Sequence, residues 1–514
     1  MADPTNRKNH EDIQRDLIRT AIKQPLLTMI RDPNNGDRQI PVIIESNDDY
    51  YAGKEKSVEE MRSLVKAVAG VELPSIGSEQ NPYYKTSLTP RQILDIVDRD
   101  DTNAFRTHRE AMEEKQRAAT ARQAAAAPPE QLARYLAIRR VWYNHPISPL
   151  MDRSISTVKA DAAHRAFLAE GRDIVWAVID SGIDGTHDHF AARETLNVLL
   201  PVQHCDFTAP AGIPGDDRGR ASALVDRFGH GSHVAGIIAG AYFSDQRPAK
   251  AQRTKLGEGS QVEIFEEEIS KIAGMAPSCK LVSLKVLNDN GDGDVSNIIA
   301  AIDRIQTIND FGRSIKIHGV NLSVGYEFDP LWFACGQSPV CVEVNRLVRT
   351  GVVVVVAAGN TGYGVLSANQ RATGAGFMLT INDPGNAEFA ITVGSTHRDA
   401  PHTYGVSYFS SKGPTGDGRQ KPDLVAPGER ILSCCSSMKN GVNATNVYVE
   451  DSGTSMAAPH VSGVIAAFLS IRREYIGNPE KVKELFLSTA TDLGRNCYFQ
   501  GRGLVDLMRA IQSI

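Results

Sequence analysis

From about residue 155 onward, short and almost wholly apolar runs alternate with segments whose apolar residues recur at helical spacing. Apolar runs without polar alternation are typical of strands buried on both faces. We predict such strands at residues 174–179, 281–287, 319–323, 352–358 and 390–393. Helices are predicted at 234–239, 296–308 and 342–348. The pattern therefore predicts an α/β fold with a doubly wound, mostly parallel sheet between helices.

The first 150 residues follow a different pattern. They offer a helical segment at 13–29, a strand at 39–45, helices starting at Ser57 and Thr89, and a strand at 140–144. We expect residues 1–40 to be an N-terminal extension and residues 41–150 to form a small α+β N-terminal domain. Residues 108–138 are rich in alanine and broken by two prolines, which leaves open whether they form a helical pair or a linker.

Composition and charge limit the classes of binding partner that the sequence indicates. The chain has 514 residues, of which 23% are charged, and a formal net charge of -5, so nothing points to a nucleic-acid or a membrane partner. The N-terminus is polar, and no run of about 18 apolar residues indicates a membrane span. We therefore expect a cytoplasmic protein.

The seven cysteines are scattered, which is not typical of a disulfide framework. Cys335 and Cys341 are close enough in sequence to pair or to share a metal, but two ligands do not make a zinc site. Buried or loop thiols are the favoured interpretation of this pair. We interpret the adjacent Cys434 and Cys435 as packing residues.

Candidate chemistry lies where predicted strands end, as is typical of this fold class. Asp180 follows the first strand, Asn360 follows the fourth, and His230 stands at a helix start. Ser455 lies where a loop turns into an apolar helix, whose unpaired N–H groups would stabilise negative charge. Each residue alone has an ordinary explanation as a helix cap, a turn residue or a metal ligand. Chance does not readily explain why all four residues occur together in this order along the chain.

Together these motifs resemble the bacterial-type subtilisin-like serine proteases, the subtilases. The resemblance covers residues 155–514 and rests on segments 178–184, 230–236, 357–360, 421–428, 453–460 and 501–506. It implies a subtilisin-like catalytic domain over 155–514 that acts as a serine endopeptidase through an acyl-enzyme. Alternatives are a transpeptidase or macrocyclase that uses the same residues, and a catalytically silent binding protein.

The resemblance assigns a catalytic triad to Asp180, His230 and Ser455, in the order known for subtilisin. Chemistry supports these roles, because a serine hydroxyl needs a base that titrates near neutral pH and the base needs a carboxylate to orient it. The family pattern places an oxyanion hole at the Asn360 amide and the Ser455 N–H, with support from Thr454.

Three further histidines lie in these motifs, and the triad needs only one base. We expect structural roles for His187, His233 and His460.

In subtilases an extended substrate pairs with two segments beside the site. By position the substrate-binding residues here are Gly291, Asp292, Gly293, Ser323, Val324 and Gly325. The acidic series Asp289, Asp292 and Asp294 raises the hypothesis of a preference for basic substrate residues, although a solvated turn is the simpler explanation. Tyr326 replaces a common glycine and is predicted to narrow the mouth of the pocket.

Other departures from the family concern a metal and a regulator. His189 stands where many subtilases carry a calcium-binding aspartate, so we expect no cofactor and doubt a strong calcium site. The loop that would complete that site is replaced by a charged insertion at 242–272, interpreted first as a solvated loop and otherwise as a docking surface or lid. The 1–150 region resembles an inhibitory propeptide in layout, or it is a docking domain. A regulatory protein is expected to bind through 1–150 or through 242–272, beside a protein or peptide substrate.

Overall fold

A computed structural model describes residues 21–22, 26–75, 82–118, 132–144, 153–208, 217–256, 262–328, 335–368, 371–439 and 444–514. The chain divides into two compact units, one that takes in Met1–Ser148 and one that takes in most of the rest, to Ile514. Each unit has a hydrophobic core of its own.

The first unit is a three-stranded antiparallel sheet with helices. Its elements are α1 Leu26–Arg31, β1 Ile40–Ser46, α2 Lys54–Ala69, β2 Tyr83–Leu88, α3 Pro90–Ala118 and β3 Ile138–Tyr143. The strand order is β2-β1-β3, with β1 in the centre. Strand β2 had no prediction, because its alternating polar residues do not stand out in the sequence. Most of the predicted helix 13–29, and residues 119–131 of the alanine-rich segment, lie outside the described residues.

The second unit is built on a seven-stranded sheet. Its strands are β4 Val175–Asp180, β5 Cys205–Asp206, β10 Lys280–Lys285, β11 Gly319–Leu322, β12 Val353–Ala357, β15 Ile391–Thr396 and β16 Leu424–Pro427. The order is β16-β15-β12-β11-β4-β10-β5, and every neighbouring pair is parallel. The predicted α/β fold with a parallel sheet between helices is confirmed.

Helices cover both faces of this sheet. The helices of the unit are α4 Arg153–Thr157, α5 Ala160–Phe167, α6 Asp188–Ala191, α7 Asp217–Ser222, α8 His230–Ile238, α9 Val295–Ile308, α10 Pro339–Arg349, α11 Pro401–Tyr404, α12 Thr454–Ile471, α13 Pro479–Thr489, α14 Cys497–Gln500 and α15 Leu507–Gln512. Apolar residues of α9 and α10 pack in one core cluster with alternate strand residues such as Val320 and Leu322. The intervening Asn321 faces the other side, where it accepts a hydrogen bond from Ser462 of α12.

Helix α12 is the central helix of that second face. It packs against α8 and against five strands of the sheet, β4, β11, β12, β15 and β16. By length and composition it could cross a membrane, but 83% of the relevant window is buried inside the protein. We therefore assign it to the core.

The charged insertion is ordered into strands, so its interpretation as a solvated loop is wrong. It contains β6 Ala241–Phe243, β7 Ala249–Leu256, β8 Val262–Ile269 and β9 Lys271–Ala273. Strands β6 and β9 pair with each other, while β7 and β8 join β17 Ile431–Cys434 and β18 Val447–Asp451 in a sheet ordered β17-β18-β7-β8. The basic and acidic stretches face each other across the hairpin, for example in the Lys255–Glu263 ion pair at 3.1 Å. Opposite charges on paired strands stabilise the hairpin.

One more hairpin follows β12. Strands β13 Tyr363–Ala368 and β14 Arg371–Gly376 pair antiparallel.

Candidate active site

The carboxyl ends of four adjacent strands define the candidate site. Asp180 is the last residue of β4, and Ser323 directly follows β11. Asn360 lies three residues beyond β12, and Gly291 lies in the turn after β10. Since parallel strands end at one edge of the sheet, residues far apart in sequence come together there.

Asp180 and His230 form a hydrogen-bonded pair. The Nδ1–H of His230 donates to Oδ1 of Asp180 at 2.8 Å, and the carboxylate is buried. Burial lowers the pKa of His230, but the negative charge of Asp180 and this hydrogen bond outweigh burial and raise the pKa to about 9. The pair thus favours the imidazolium form and fixes the tautomer whose Nε2 accepts a proton.

Asp226 positions the helix that carries His230, and the sequence reasoning missed it. Its carboxylate accepts hydrogen bonds from the backbone N–H groups of Gly229 and Ser232, at 2.7 and 2.8 Å, and from the hydroxyl of Ser181 at 2.9 Å. These groups include orphan donors at the start of α8. An acidic residue just ahead of a predicted helix start was the signal that could have found it.

Ser455 is the second residue of α12, so its backbone N–H has no acceptor within the helix. Its hydroxyl donates to the carbonyl of Ser323 at 3.0 Å, and the Ser323 hydroxyl donates back to the carbonyl of Ser455 at 3.0 Å. In a regular helix that Ser455 carbonyl would accept from residue 459, but Pro459 has no N–H. The proline therefore leaves an acceptor that Ser323 satisfies.

Asn321 extends this network into the core. Its amide donates to the Ser323 hydroxyl at 2.8 Å and its oxygen accepts from Ser462 at 2.8 Å. An asparagine in a fully buried apolar strand was the sequence signal for such a role, since a buried amide needs partners.

Asn360 and Thr454 are also joined. The backbone N–H and the hydroxyl of Thr454 both donate to Oδ1 of Asn360, at 2.9 and 3.0 Å, and the Thr454 hydroxyl accepts from Gly359 at 3.1 Å. Because the amide oxygen is held in this way, Nδ2 is the group of Asn360 left to donate to a ligand. Thr454 therefore fixes the orientation of the Asn360 amide.

One cleft of ≈ 370 Å³ contains most of the predicted site residues. They are His230, Gly291, Ser323, Val324, Gly325, Asn360, Thr454 and Ser455. Asp292 and Gly293 are not among the described residues that line it. They lie in the same turn, where the Asp292 carbonyl accepts from Asn288 at 2.8 Å.

Phe228, which the sequence reasoning did not select, lines the cleft beside Gly291. A Cβ on Gly291 would lie 2.6 Å from the Phe228 ring, and Gly291 has φ +87°, so only glycine fits this position without strain. Tyr326 packs against the core cluster and is not one of the described residues that line the cleft. The structure therefore gives no support for a mouth narrowed by Tyr326.

Of the acidic series, Asp289 is already paired. It accepts from the buried Lys285 at 3.0 Å and forms an ion pair with Arg227 at 3.2 Å. A preference for basic substrate residues stays a prediction that would depend on Asp292 and Asp294.

The other motif histidines bond to the protein itself. The rings of His187 and His233 donate to the carbonyls of Val447 and Val449, at 2.9 and 3.0 Å. The ring of His460 donates to the Met456 carbonyl at 2.7 Å. Burial lowers the pKa of each, to about 4 for His233 and His460. Neutral buried rings of this kind fit the structural roles expected for them.

The residue at the family's calcium position does not fit that metal. His189 is buried, and its ring contacts the Tyr448 hydroxyl and the Gly236 carbonyl, each at 3.2 Å. Burial lowers the pKa of His189 to about 3. Calcium requires oxygen ligands, which this side chain cannot supply.

The cysteine pair of the sequence analysis also lies in this unit. Cys335 and Cys341 are free, buried thiols, as are Cys434 and Cys435.

Comparison with known proteins agrees with the geometry. A family model described as Subtilase family matches residues 171–503. The chain is similar to the serine protease AprX of Bacillus subtilis, 28% identical over 366 residues that cover 69% of this chain and 70% of the relative. Subtilisin E of the same species is 28% identical over 368 residues, 72% of this chain and 73% of the relative. Subtilisin-like protease 3 of Saccharomyces cerevisiae is 27% identical over 336 residues, 63% and 52% of the two chains.

Because the family match spans more than half of the chain, the chain belongs to the subtilase family. It is a serine-type endopeptidase, and its substrates are proteins or peptides.

Proposed function

We propose that the chain hydrolyses peptide bonds with Ser455 as nucleophile, His230 as general base and Asp180 as the carboxylate that orients the imidazole. The observation that carries this proposal is the 2.8 Å hydrogen bond from His230 to Asp180, with His230 in the same cleft as Ser455. The arrangement supplies the base and the orienting group that a serine hydroxyl needs.

In the reaction, the Ser455 hydroxyl turns from the Ser323 carbonyl toward Nε2 of His230. Its oxygen attacks the substrate carbonyl carbon while its proton passes to Nε2. Nδ2 of Asn360 and the backbone N–H of Ser455 donate to the oxyanion of the tetrahedral intermediate. Collapse breaks the C–N bond, the leaving amine takes the proton from His230, and an acyl-enzyme remains. Water, deprotonated by His230, then attacks the ester carbon; the bond to the Ser455 oxygen breaks, that oxygen takes the proton back from His230, and the carboxylic acid product leaves.

The nonprime side of the substrate lies along Gly291 and along 323–325 in an extended conformation. Their position in the cleft supports main-chain pairing with the substrate, as in strand addition. Glycines at Gly291 and Gly325 let a second backbone approach closely.

The first unit acts as a propeptide-like or docking module in this proposal. Its independent core, which includes Ile44, Met61 and Ile96, supports a domain that folds by itself. Comparison of intact masses of the wild type and Ser455→Ala tests self-processing. A shortened chain in the wild type alone supports the propeptide role, and identical intact masses contradict it.

A regulatory partner would bind at the edge strand β8, whose partner β7 is paired on its other side. Unpaired edges are templates for strand addition. Pull-down from the native source with wild type, compared with a variant that carries proline in the middle of β8, tests this role. Equal recovery of every partner by both proteins contradicts it.

Cleavage of an unfolded protein substrate by the wild type and by Ser455→Ala tests the catalytic proposal. We expect the variant to lose cleavage while it keeps the circular dichroism spectrum of the wild type. Cleavage at the wild-type rate by Ser455→Ala would reject the proposal.

A further inference from the structure

An exposed apolar surface begins next to the catalytic cleft. Tyr363, Val365 and Tyr408 are 47%, 64% and 68% exposed, fractions that are large for apolar and aromatic side chains. We call these three residues the aromatic shelf. Contiguous exposed apolar surfaces on soluble proteins commonly mark binding sites.

On one face of the β13–β14 hairpin, the apolar side chains of β13 lie opposite residues of β14 that have no side chain. Tyr363 pairs with Gly376 and Val365 pairs with Gly374, so the strand opposite the two apolar side chains presents only glycine. The Tyr363 side chain lies over Gly374, where an added Cβ would come within 1.8 Å of its hydroxyl oxygen. The result is a flat apolar face, since side chains on one face alternate along a strand.

The hairpin and Tyr408 are held together as one surface. The rings of Tyr363 and Tyr408 meet edge to face, with centroids 5.5 Å apart. Beneath them, the ammonium group of the buried Lys412 donates to the carbonyls of Gly362 and Tyr408, each at 2.9 Å. The backbone N–H of Gly362 donates to the Phe409 carbonyl at 2.9 Å. A surface built in this way is pre-organised, which lowers the entropic cost of binding.

The shelf begins close to the cleft along the chain. Asn360 and Thr361 line the cleft, and Tyr363 follows two residues later. A chain of three residues spans at most about 11 Å, which equals three or four residues of an extended substrate. An extended polypeptide whose scissile bond is at Ser455 therefore reaches the shelf with residues just outside the catalytic cleft.

We propose that the aromatic shelf is a second binding site for the substrate polypeptide and takes apolar or aromatic side chains of an extended segment several residues from the scissile bond. Folded proteins bury such segments, so the shelf selects unfolded polypeptides as substrates. The inference rests on the proposed catalytic function and adds a substrate class to it. Proximity to the cleft, three residues from Asn360 to Tyr363, favours the substrate as occupant over a second copy of the chain.

Kinetics of two substrates test this inference. One substrate is a tetrapeptide p-nitroanilide, which fills only the catalytic cleft, and the other is a carboxymethylated, unfolded protein. We compare the full-length wild type with the double variant Tyr363→Ser/Tyr408→Ser and with the control Phe311→Ser, which removes a 59% exposed ring in the turn after α9.

We expect the double variant to raise KM for the unfolded protein about five-fold or more, the loss typical of an aromatic binding residue. Its kcat for that protein and both constants for the tetrapeptide should stay within two-fold of the wild type, as should all constants of Phe311→Ser. Unchanged KM for the unfolded protein would overturn the inference. An equal loss on both substrates would also overturn it, because the residues would then serve the cleft or the fold.

Sedimentation velocity of the wild type and the double variant tests whether a second copy of the chain binds at the shelf instead. A wild-type dimer that the double variant dissociates would overturn the inference in favour of a second copy, whereas equal sedimentation supports it. Wild-type inactivity on both substrates would refute the catalytic proposal, and therefore also the inference that rests on it.

Discussion

Ser323 and Ser455 bond to each other twice, each hydroxyl donating to the other's carbonyl at 3.0 Å. The pair joins the loop after β11 to the first turn of α12. Pro459 cannot donate to the Ser455 carbonyl, which leaves this carbonyl available to the Ser323 hydroxyl. Ser455, the proposed nucleophile, is thereby held at the edge of the sheet by the segment that also lines the cleft.

Removal of the Ser323 hydroxyl tests this link. In Ser323→Ala the Ser455 carbonyl and the Asn321 amide lose a partner, and we expect a loss of about 1–3 kcal/mol in the free energy of unfolding. A shifted nucleophile should also lower kcat about ten-fold, because misplacement by a fraction of an ångström is costly. Urea unfolding and steady-state kinetics measure both quantities.

Ser488→Ala is the matched control for that variant. Its exposed hydroxyl donates to the Leu485 carbonyl within α13 at 2.9 Å. We expect changes below about 0.5 kcal/mol and unaltered kcat. If Ser323→Ala behaves like this control, the pair does not position the nucleophile.

The Asp180–His230 pair predicts the pH dependence of activity. A general base must be neutral, and Asp180 raises the pKa of His230 to about 9, so kcat/KM should rise with pH between about 6.5 and 9. In Asp180→Asn, burial lowers the pKa of His230 without the opposing effect of the Asp180 charge. The rise of kcat/KM with pH should therefore occur at lower pH than in the wild type. The kcat of Asp180→Asn should fall about 10⁴-fold, the loss caused by the wrong tautomer in another serine protease fold.

The pH profile of kcat/KM for the wild type and Asp180→Asn measures that shift. NMR titration of the imidazole reports the same pKa without turnover. If kcat/KM rises over the same pH range in both proteins, the assignment of Asp180 as the carboxylate that orients His230 is contradicted.

The oxyanion site predicts unequal losses at two residues. Asn360→Ala should lower kcat about 100- to 1000-fold with little change in KM; this range was measured at the corresponding asparagine of subtilisin and is carried over from it. Thr454→Val should cost less, about ten-fold, because Thr454 only positions the amide, and Thr454→Ser should restore activity. Equal losses in Asn360→Ala and Thr454→Val would show that Thr454 is itself an oxyanion donor.

Glu450 predicts how stability depends on pH. Its buried carboxylate accepts from Arg253, Arg398 and Arg430, at 3.1, 2.6 and 3.2 Å. Burial raises the pKa of Glu450, but bonds from Thr254 and the arginines outweigh burial and lower the pKa to about 2. The stabilisation is therefore fully present above the unfolded-state value of about 4.3 and is lost as the pH falls to about 2.

We expect Glu450→Gln to lower the free energy of unfolding at pH 7 by about 1–3 kcal/mol, because three arginines lose the carboxylate they share, although Arg253 keeps its ion pair with Glu267 at 2.9 Å. The difference from wild type should shrink as the pH approaches 2. Glu266→Gln, which alters an exposed ion pair with Lys250, serves as the control and should cost less than about 1 kcal/mol. Denaturant unfolding at pH 7 and at pH 3 measures these differences in the free energy of unfolding. If the difference between Glu450→Gln and the wild type does not depend on pH, the proposed stabilisation by the Glu450 carboxylate is wrong.

Sequence patterns predicted most of the large sheet because its central strands are continuous apolar runs. They missed β5, whose two residues are too few to produce a pattern, and β16, a short apolar run that ends at a proline. The insertion was misread because its alternating charges were taken as solvent-facing loop, although oppositely charged stretches on both sides of a turn also fit paired strands.

The candidate site was predicted as a set of motifs, but not its internal support. Ser455, His230 and Asn360 belong to recognisable local patterns. Local signals mark Asp226 and Asn321 as candidates, but their partners Ser181 and Ser462 lie 45 and 141 positions away and have no local signal. The contact between Ser323 and Ser455 joins residues 132 positions apart and has no local signal.

Reaction with a fluorophosphonate tests the central claim most directly, because the reagent traps a serine whose hydroxyl is activated by a base. Full-length wild type, Ser455→Ala and His230→Ala are treated at pH 8, and the modified peptide is identified by mass spectrometry. We predict one label on Ser455 in the wild type and none in either variant. A wild type that stays unlabelled both with and without the first unit, or a label on another serine that persists in Ser455→Ala, would contradict the assignment of Ser455 as the nucleophile.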